Sequence, residues 1–288
     1  MEKIRIGVNV PSTAVMGSLK GELEQIAADG WQWAELNLAA CPFLIGGRVQ
    51  QEAVEYVKGV IGGIPLRCTA HACYGLDLRS GDELHRQVLL NSVRVCAALG
   101  IDRLNIHFEE YSHDRRKEER WACRVREGAD LGGELGVALN VENVEVEDAR
   151  YTLEAVMALA HPNVGMTLDL GHLWLSANYF HYDYLQTVGD CAPQVRHVHV
   201  NDNGGVFEPM RLTDYHLYNT LGRGYRFTFD RGDIHAAPFW GTAPLPEAFR
   251  LLKRAGFSGV WLCEYYSKSF HPLNSQIRRR VLEEIEKA

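Results

Sequence analysis

Histidine, aspartate and glutamate recur at the ends of short apolar runs: Thr69-Ala70-His71, Asn105-Ile106-His107, Asn140-Val141-Glu142, Leu168-Asp169 with His172 just beyond, His197-Val198-His199, and Leu262-Cys263-Glu264. Any one of these residues alone reads more naturally as a hydrogen-bonded structural group than as a ligand. Six successive runs ending this way change that reading. If the runs are neighbouring strands their ends converge, and the carboxylates gathered there repel one another unless they are protonated or neutralised by cations. Imidazole with carboxylate and no thiolate suits Zn2+, Mn2+, Fe2+ or Co2+. The expectation is therefore a divalent-metal site of one to three ions.

Other titratable residues have plainer readings. His197 lies two residues before His199, on the same side of a strand but deeper, and reads as a supporting residue. His85, His113, His161, His181, His216 and His271 fall in helices or loops and read as surface or capping groups. The charged run from Glu109 to Arg120 reads as a solvated helix face. Glu35 and Asn37, near the second strand, are minor candidates. Arg211, Arg223, Arg226 and Arg231 could clamp a phosphate or carboxylate, or equally be salt-bridged within their own loop. Arg223, Arg226 and Trp240 are taken forward as substrate-binding candidates.

The elements that must position these side chains alternate between β-rich runs and helical stretches, the pattern of a parallel sheet covered by helices. Strands are expected at Arg5–Val10, Ala34–Leu38, Leu66–His71, Arg103–His107, Ala138–Glu142, Val164–Asp169, Val195–Val200 and Val260–Glu264. Helices are expected at Leu19–Asp29, Glu52–Ile61, Asp82–Leu99, Lys117–Leu135, Leu153–Ala160, Tyr182–Val188, Pro246–Ala255 and Ser275–Lys287. Gly30, Gly100, Gly136 and Gly256 follow helices where a left-handed stop is needed. No linker or composition shift divides the chain, so residues 1–288 are read as one domain, a single (β/α)8 barrel of the TIM type. The segment 201–244 is too long for an ordinary βα loop and reads as an extended loop or cap.

Composition excludes several classes. The net charge of −7 gives no global reason to expect nucleic-acid binding. Seven cysteines without a C-x-x-C pair argue against a disulfide framework. The N-terminus, with Glu2, Lys3 and Arg5 close together, lacks the apolar stretch of a leader or membrane span, so the chain reads as cytoplasmic. Dinucleotide, Walker and serine-hydrolase motifs are missing, which leaves the chemistry to metal.

Taken together, the strand-end residues resemble the xylose isomerase-like barrel superfamily, which holds sugar and sugar-phosphate isomerases and epimerases as well as endonuclease IV-type nucleases. The resemblance covers nearly the whole chain. In the single-metal epimerases it implies Glu142, Asp169, His199 and Glu264 as ligands, with His172 three residues after the aspartate. The nuclease branch adds further ligands, which match His71, His107 and the Asp233-Ile234-His235 motif. By that resemblance Glu142 would bridge two metals, and His172, Asp233 and His235 would hold a third. Three departures count against the nuclease: the long, aromatic interval from His199 to Asp233, a first strand ending Val8-Asn9-Val10-Pro11 without histidine, and the aromatic pair in Pro238-Phe239-Trp240-Gly241, which would narrow the mouth.

Two activities follow as expectations. The first is isomerisation or epimerisation of a sugar, sugar phosphate or related polyol through an enediolate, with Glu142 and Glu264 as base and acid and His172 orienting a substrate oxygen. The second is metal-assisted hydrolysis of a phosphoester; dehydration or lysis of a polyol would use the same enolate logic as the first. The expected partner is a small carbohydrate or phosphorylated substrate, without membrane or nucleic acid, and a homo-oligomer is compatible with the surface aromatics.

Overall fold

A computed structural model describes residues 4–11 and 14–288, so Glu2 and Lys3 of the N-terminal charge cluster lie outside the described residues. Eight strands run parallel: β1 (Arg5–Asn9), β2 (Trp33–Asn37), β3 (Arg67–His71), β4 (Arg103–His107), β5 (Ala138–Glu142), β6 (Val164–Asp169), β7 (Val195–Val200) and β8 (Val260–Cys263). They close into a barrel in the order β1-β8-β7-β6-β5-β4-β3-β2. Each expected strand is present, with ends displaced by at most one residue.

Strand alternation divides the side chains between two cores. Outward residues such as Leu104, Leu139, Val141 and Val198 are fully buried against the helices. Helix residues Val54, Leu89, Val93, Val125, Leu252 and Val281 meet them there. Inward residues at alternate positions form successive levels, as the two-residue period requires. Trp33, Val260 and Leu262 form an apolar cluster that spans successive levels in the lumen. Two residues further along most strands, polar side chains fill the lumen.

Helix boundaries follow their end groups. Asp82 and Asp114 accept from the backbone N–H of Leu84 and Arg116, starting helices Glu83–Leu99 and Arg115–Leu135. These helices stop at Gly100 and Gly136, whose φ of 72° and 74° a side chain would disfavour. Gly30 and Gly256 also adopt positive φ, as expected.

One expectation needs correction. After β6 the sequence suggested one helix at Tyr182–Val188, whereas the structure has two, Leu170–Phe180 and Tyr184–Cys191. The first is apolar around most of its circumference and starts with Asp169 as its cap, so it carries neither a polar stripe nor a loop before it. Segment 201–244, expected as an extended loop or cap, holds short helices Met210–Thr213, Tyr215–Thr220 and Arg223–Phe229. A small hairpin, Leu44–Ile45 with Arg48–Val49, was also unforeseen. No helix among the described residues is long and apolar enough to cross a membrane.

Candidate metal centre

At the carboxyl ends of the strands the barrel gathers His71, His107, Glu142, Asp169, His172, His199, Asp233, His235 and Glu264. One donor atom from each of Glu142, Asp169, His199 and Glu264 lies within 4.8 Å of every other. Three further sets meet the same condition, His71–His107–Glu142, His172–Asp233–His235 and, deeper in the lumen, Glu35–His197–His199. Glu142 and His199 lie at the centre. His199 Nδ1 is 3.0 Å from Glu142 Oε1 and 3.0 Å from Glu264 Oε2, and 3.8 Å from Asp169 Oδ2. The other oxygen of Glu142 is 3.0 Å from His71 Nε2 and 3.9 Å from His107 Nε2. Asp233 Oδ2 lies 2.8 Å from His235 Nε2 and 3.5 Å from His172 Nε2.

Local folding fixes each donor. Asp169 ends β6 and caps the next helix, with Oδ1 accepting from His172 N at 2.6 Å, so the first helical turn brings His172 to the site. Its Oδ2 accepts from Asn201 Nδ2 at 2.7 Å. Nδ1 of His172 is 3.0 Å from the Asn143 carbonyl, and that of His235 is 2.9 Å from the Glu264 carbonyl, which leaves each Nε2 facing Asp233. His71 is held in the same way by the carbonyl of Ala72 at 2.8 Å.

Electrostatically the cluster is under tension. Burial would lower the pKa of His199, but Glu142, Glu264 and Glu35 outweigh it and hold the ring well above an ordinary imidazole. Burial would raise Glu142, yet His199, His71 and His107 keep it well below the usual range. Asp169 goes the other way: burial, with Glu142 and Glu264 nearby, pushes it up to about 6 despite His172. Glu264 Oε2 and Asp233 Oδ1 are buried without a hydrogen-bond partner among the described residues. Carboxylate and imidazole donors packed this closely, some unaligned with one another, fit a divalent cation better than they satisfy themselves.

Below the donors lies a polar level. Glu35 on β2 accepts from Thr69 Oγ1 at 2.8 Å and Asn105 Nδ2 at 2.5 Å, and its Oε2 is 3.3 Å from His197 Nε2. Because β2 and β7 are not neighbours, that contact crosses the lumen. Burial lowers His197 to about 4, so it is a neutral ring under the site, in keeping with a supporting place. Glu35 lies 3.0 Å from His199 Nε2, which makes it more central than its position in the sequence suggested.

A cavity of about 660 Å3 opens onto this centre. Glu264, His172, His107, Asp233 and His235 line it, as do Arg223 and Arg226 from segment 201–244. Trp240 does not: it is 58% exposed and packs edge-on against Phe270 at 4.9 Å. Glu142 is fully buried and reaches the cavity only through its neighbours, whereas Glu264 keeps 12% of its side chain exposed. Tyr74 and Tyr266, lining the mouth, were not singled out by sequence; they lie in loops whose pattern gives no signal.

A family model described as xylose isomerase-like TIM barrel matches residues 23–286, and the chain belongs to that family. Solved structures agree on the fold. A D-tagatose 3-epimerase-like protein superposes with a TM-score of 0.70 at 17% identity, covering 99% of this chain and 97% of its own. An L-ribulose 3-epimerase gives 0.71 at 13% identity, with 99% and 95% covered. The IOLI protein with a binding zinc atom gives 0.70 at 15% identity, with 99% of both chains covered. Identities this low establish a shared fold alone. No curated protein matches the chain by sequence.

Proposed function

We propose that this chain is a divalent-metal-dependent isomerase or epimerase of a sugar or related polyol, working from 1–288 as one unit with 201–244 as a cap over the cavity. The observation that carries the reading is the convergence of Glu142, Asp169, His199 and Glu264 beside a sugar-sized cavity. The epimerase fold neighbours support it, as does the zinc named for one of them.

Those four residues would hold the principal ion, with His71, His107, His172, Asp233 and His235 extending capacity towards three. When bound, a divalent cation supplies stabilisation for the negative charge that develops on substrate oxygens during deprotonation. Glu264 lines the cavity and keeps 12% of its side chain exposed, whereas Glu142 is fully buried, which supports assigning the proton removal to Glu264. Glu142, the second carboxylate of the pair, is buried and ionised, so the proton it would return to the substrate has to come from solvent, while His172 Nε2 would orient a substrate oxygen. Side chains from 201–244 exclude water. The test is incubation of metal-loaded protein with a ketose panel in deuterated water. Deuterium at the carbon beside the carbonyl is expected, and its loss in Glu264→Gln; no incorporation with any ketose contradicts the reading.

A second reading, phosphoester hydrolysis, draws support from the extra donor sets His71–His107–Glu142 and His172–Asp233–His235. It requires near three ions per chain and turnover of a phosphoester; one ion without turnover removes it.

A further inference from the structure

The solvent side of the cavity carries two cations with no carboxylate partner. Arg223 and Arg226 lie three residues apart on helix Arg223–Phe229, a spacing that places them on one face. The Arg223 guanidinium sits 3.8 Å over the ring of Tyr266, and that of Arg226 4.9 Å over Tyr218. Neither makes an ion pair with an acidic group among the described residues. The neighbouring Arg211, by contrast, is committed to Glu145 at 2.6 Å. Asp233, whose charge acts on Arg226, is already engaged through Oδ2 by His172 and His235. Stacking occupies the faces of the guanidinium groups; Arg226 also hydrogen-bonds the Tyr218 side chain and reaches the Arg231 carbonyl from Nε at 3.4 Å, which leaves its remaining in-plane N–H donors and those of Arg223 available. Two like charges facing one cavity repel until an anion lies between them, and a stacked planar fork loses little freedom on binding one.

We propose that the substrate is an anionic carbohydrate, a sugar phosphate or a sugar acid, whose charged group is held by Arg223 and Arg226 while its carbonyl end lies by Glu264 and His172. This rests on the isomerase reading above and names its substrate class. A neutral sugar would leave both guanidinium groups unanswered; an anionic one satisfies them and fixes which end faces the acid–base pair.

The experiment is titration calorimetry on the metal-loaded full chain with D-fructose, D-fructose 6-phosphate and D-fructuronate, the matching tagatose series, and inorganic phosphate. At least one class of anion is expected to bind about tenfold to a hundredfold more tightly than its neutral counterpart. The phosphate and carboxylate arms identify which. Arg223→Ala, at an exposed position, is expected to remove most of that advantage, lowering anion affinity far more than neutral-sugar affinity, with Arg223→Lys recovering part of it. Arg226→Ala should do the same, and Arg223→Ala remains decisive if the half-buried Arg226 is needed to hold the segment together. Equal affinity for neutral and anionic sugars, anion binding indifferent to Arg223, or no binding of any anion overturns the proposal. Arg223-dependent anion binding without deuterium exchange on any ketose sinks the isomerase reading alone; exchange on neutral sugars with no arginine dependence sinks only the anion proposal.

Discussion

Glu35 Oε1 lies 3.0 Å from Nε2 of His199, while Nδ1 of the same ring faces Glu142 and Glu264 at 3.0 Å each. The imidazole thus has close below it a carboxylate outside the donor set above, although Nε2 makes no aligned hydrogen bond among the described residues. Such contacts fix the ring's orientation and leave its other nitrogen to a cation. Glu35→Gln keeps the volume and removes the charge. Metal affinity, measured by competition with a chromophoric chelator, is expected to fall about tenfold to a hundredfold. Unchanged affinity in a folded variant would show that the contact has no influence on the site.

Gly171 ties the helix after β6 to the metal centre. A Cβ there would collide with the side chain of Asn201, the residue that donates to Asp169. Gly171→Ala is expected to cost about 1–3 kcal/mol, as overpacking of a filled site does. Thermal unfolding of the chelator-treated protein reads this cost without a contribution from metal. A midpoint equal to that of the parent would mean that the crowding relaxes freely.

Glu147 offers a pH test away from the donors. Burial pushes its carboxyl up to about 7, above the ordinary glutamate value, although Oε2 accepts from Tyr111 N at 2.9 Å. Because the folded pKa is the higher, the fold favours the protonated form. Its stabilising contribution is complete below the ordinary value and is lost as pH rises through about 7. Glu147→Gln cannot ionise, so its melting midpoint should gain on the parent between about pH 5 and pH 8, by roughly 2–4 °C for each kcal/mol recovered. A gap constant across that range would contradict this account of the burial.

Much of the architecture was legible in the sequence because barrel strands buried on both sides read as short apolar runs, and glycine stops separate them from their helices. The donors were legible for a related reason. Side chains two apart share a face, so a ligand at each strand end stands out against an apolar run. The same period carries a further signal, of which the sequence reading uses only His197: the residues two before the donors, Thr69, Asn105, Asn140, Thr167 and His197, are also polar. They form the buried level bonded to Glu35 or to one another. Helix Leu170–Phe180 escaped notice because it is buried nearly all round and has no amphipathic stripe. Trp240 was read as a pocket residue from its neighbours in sequence, but Phe270, distant in the chain, decides where its ring lies.

The central claim is that Glu142, Asp169, His199 and Glu264 together hold a divalent cation. Elemental analysis of protein purified without chelator, alongside the Asp169→Ala and His199→Ala variants, tests it most directly. At least one divalent ion per parent chain is expected, with loss of that ion from both variants while the fold persists by circular dichroism. A parent chain that stays metal-free after dialysis against Zn2+, Mn2+, Fe2+ and Co2+ in turn, or variants that retain the parent's stoichiometry, would contradict it.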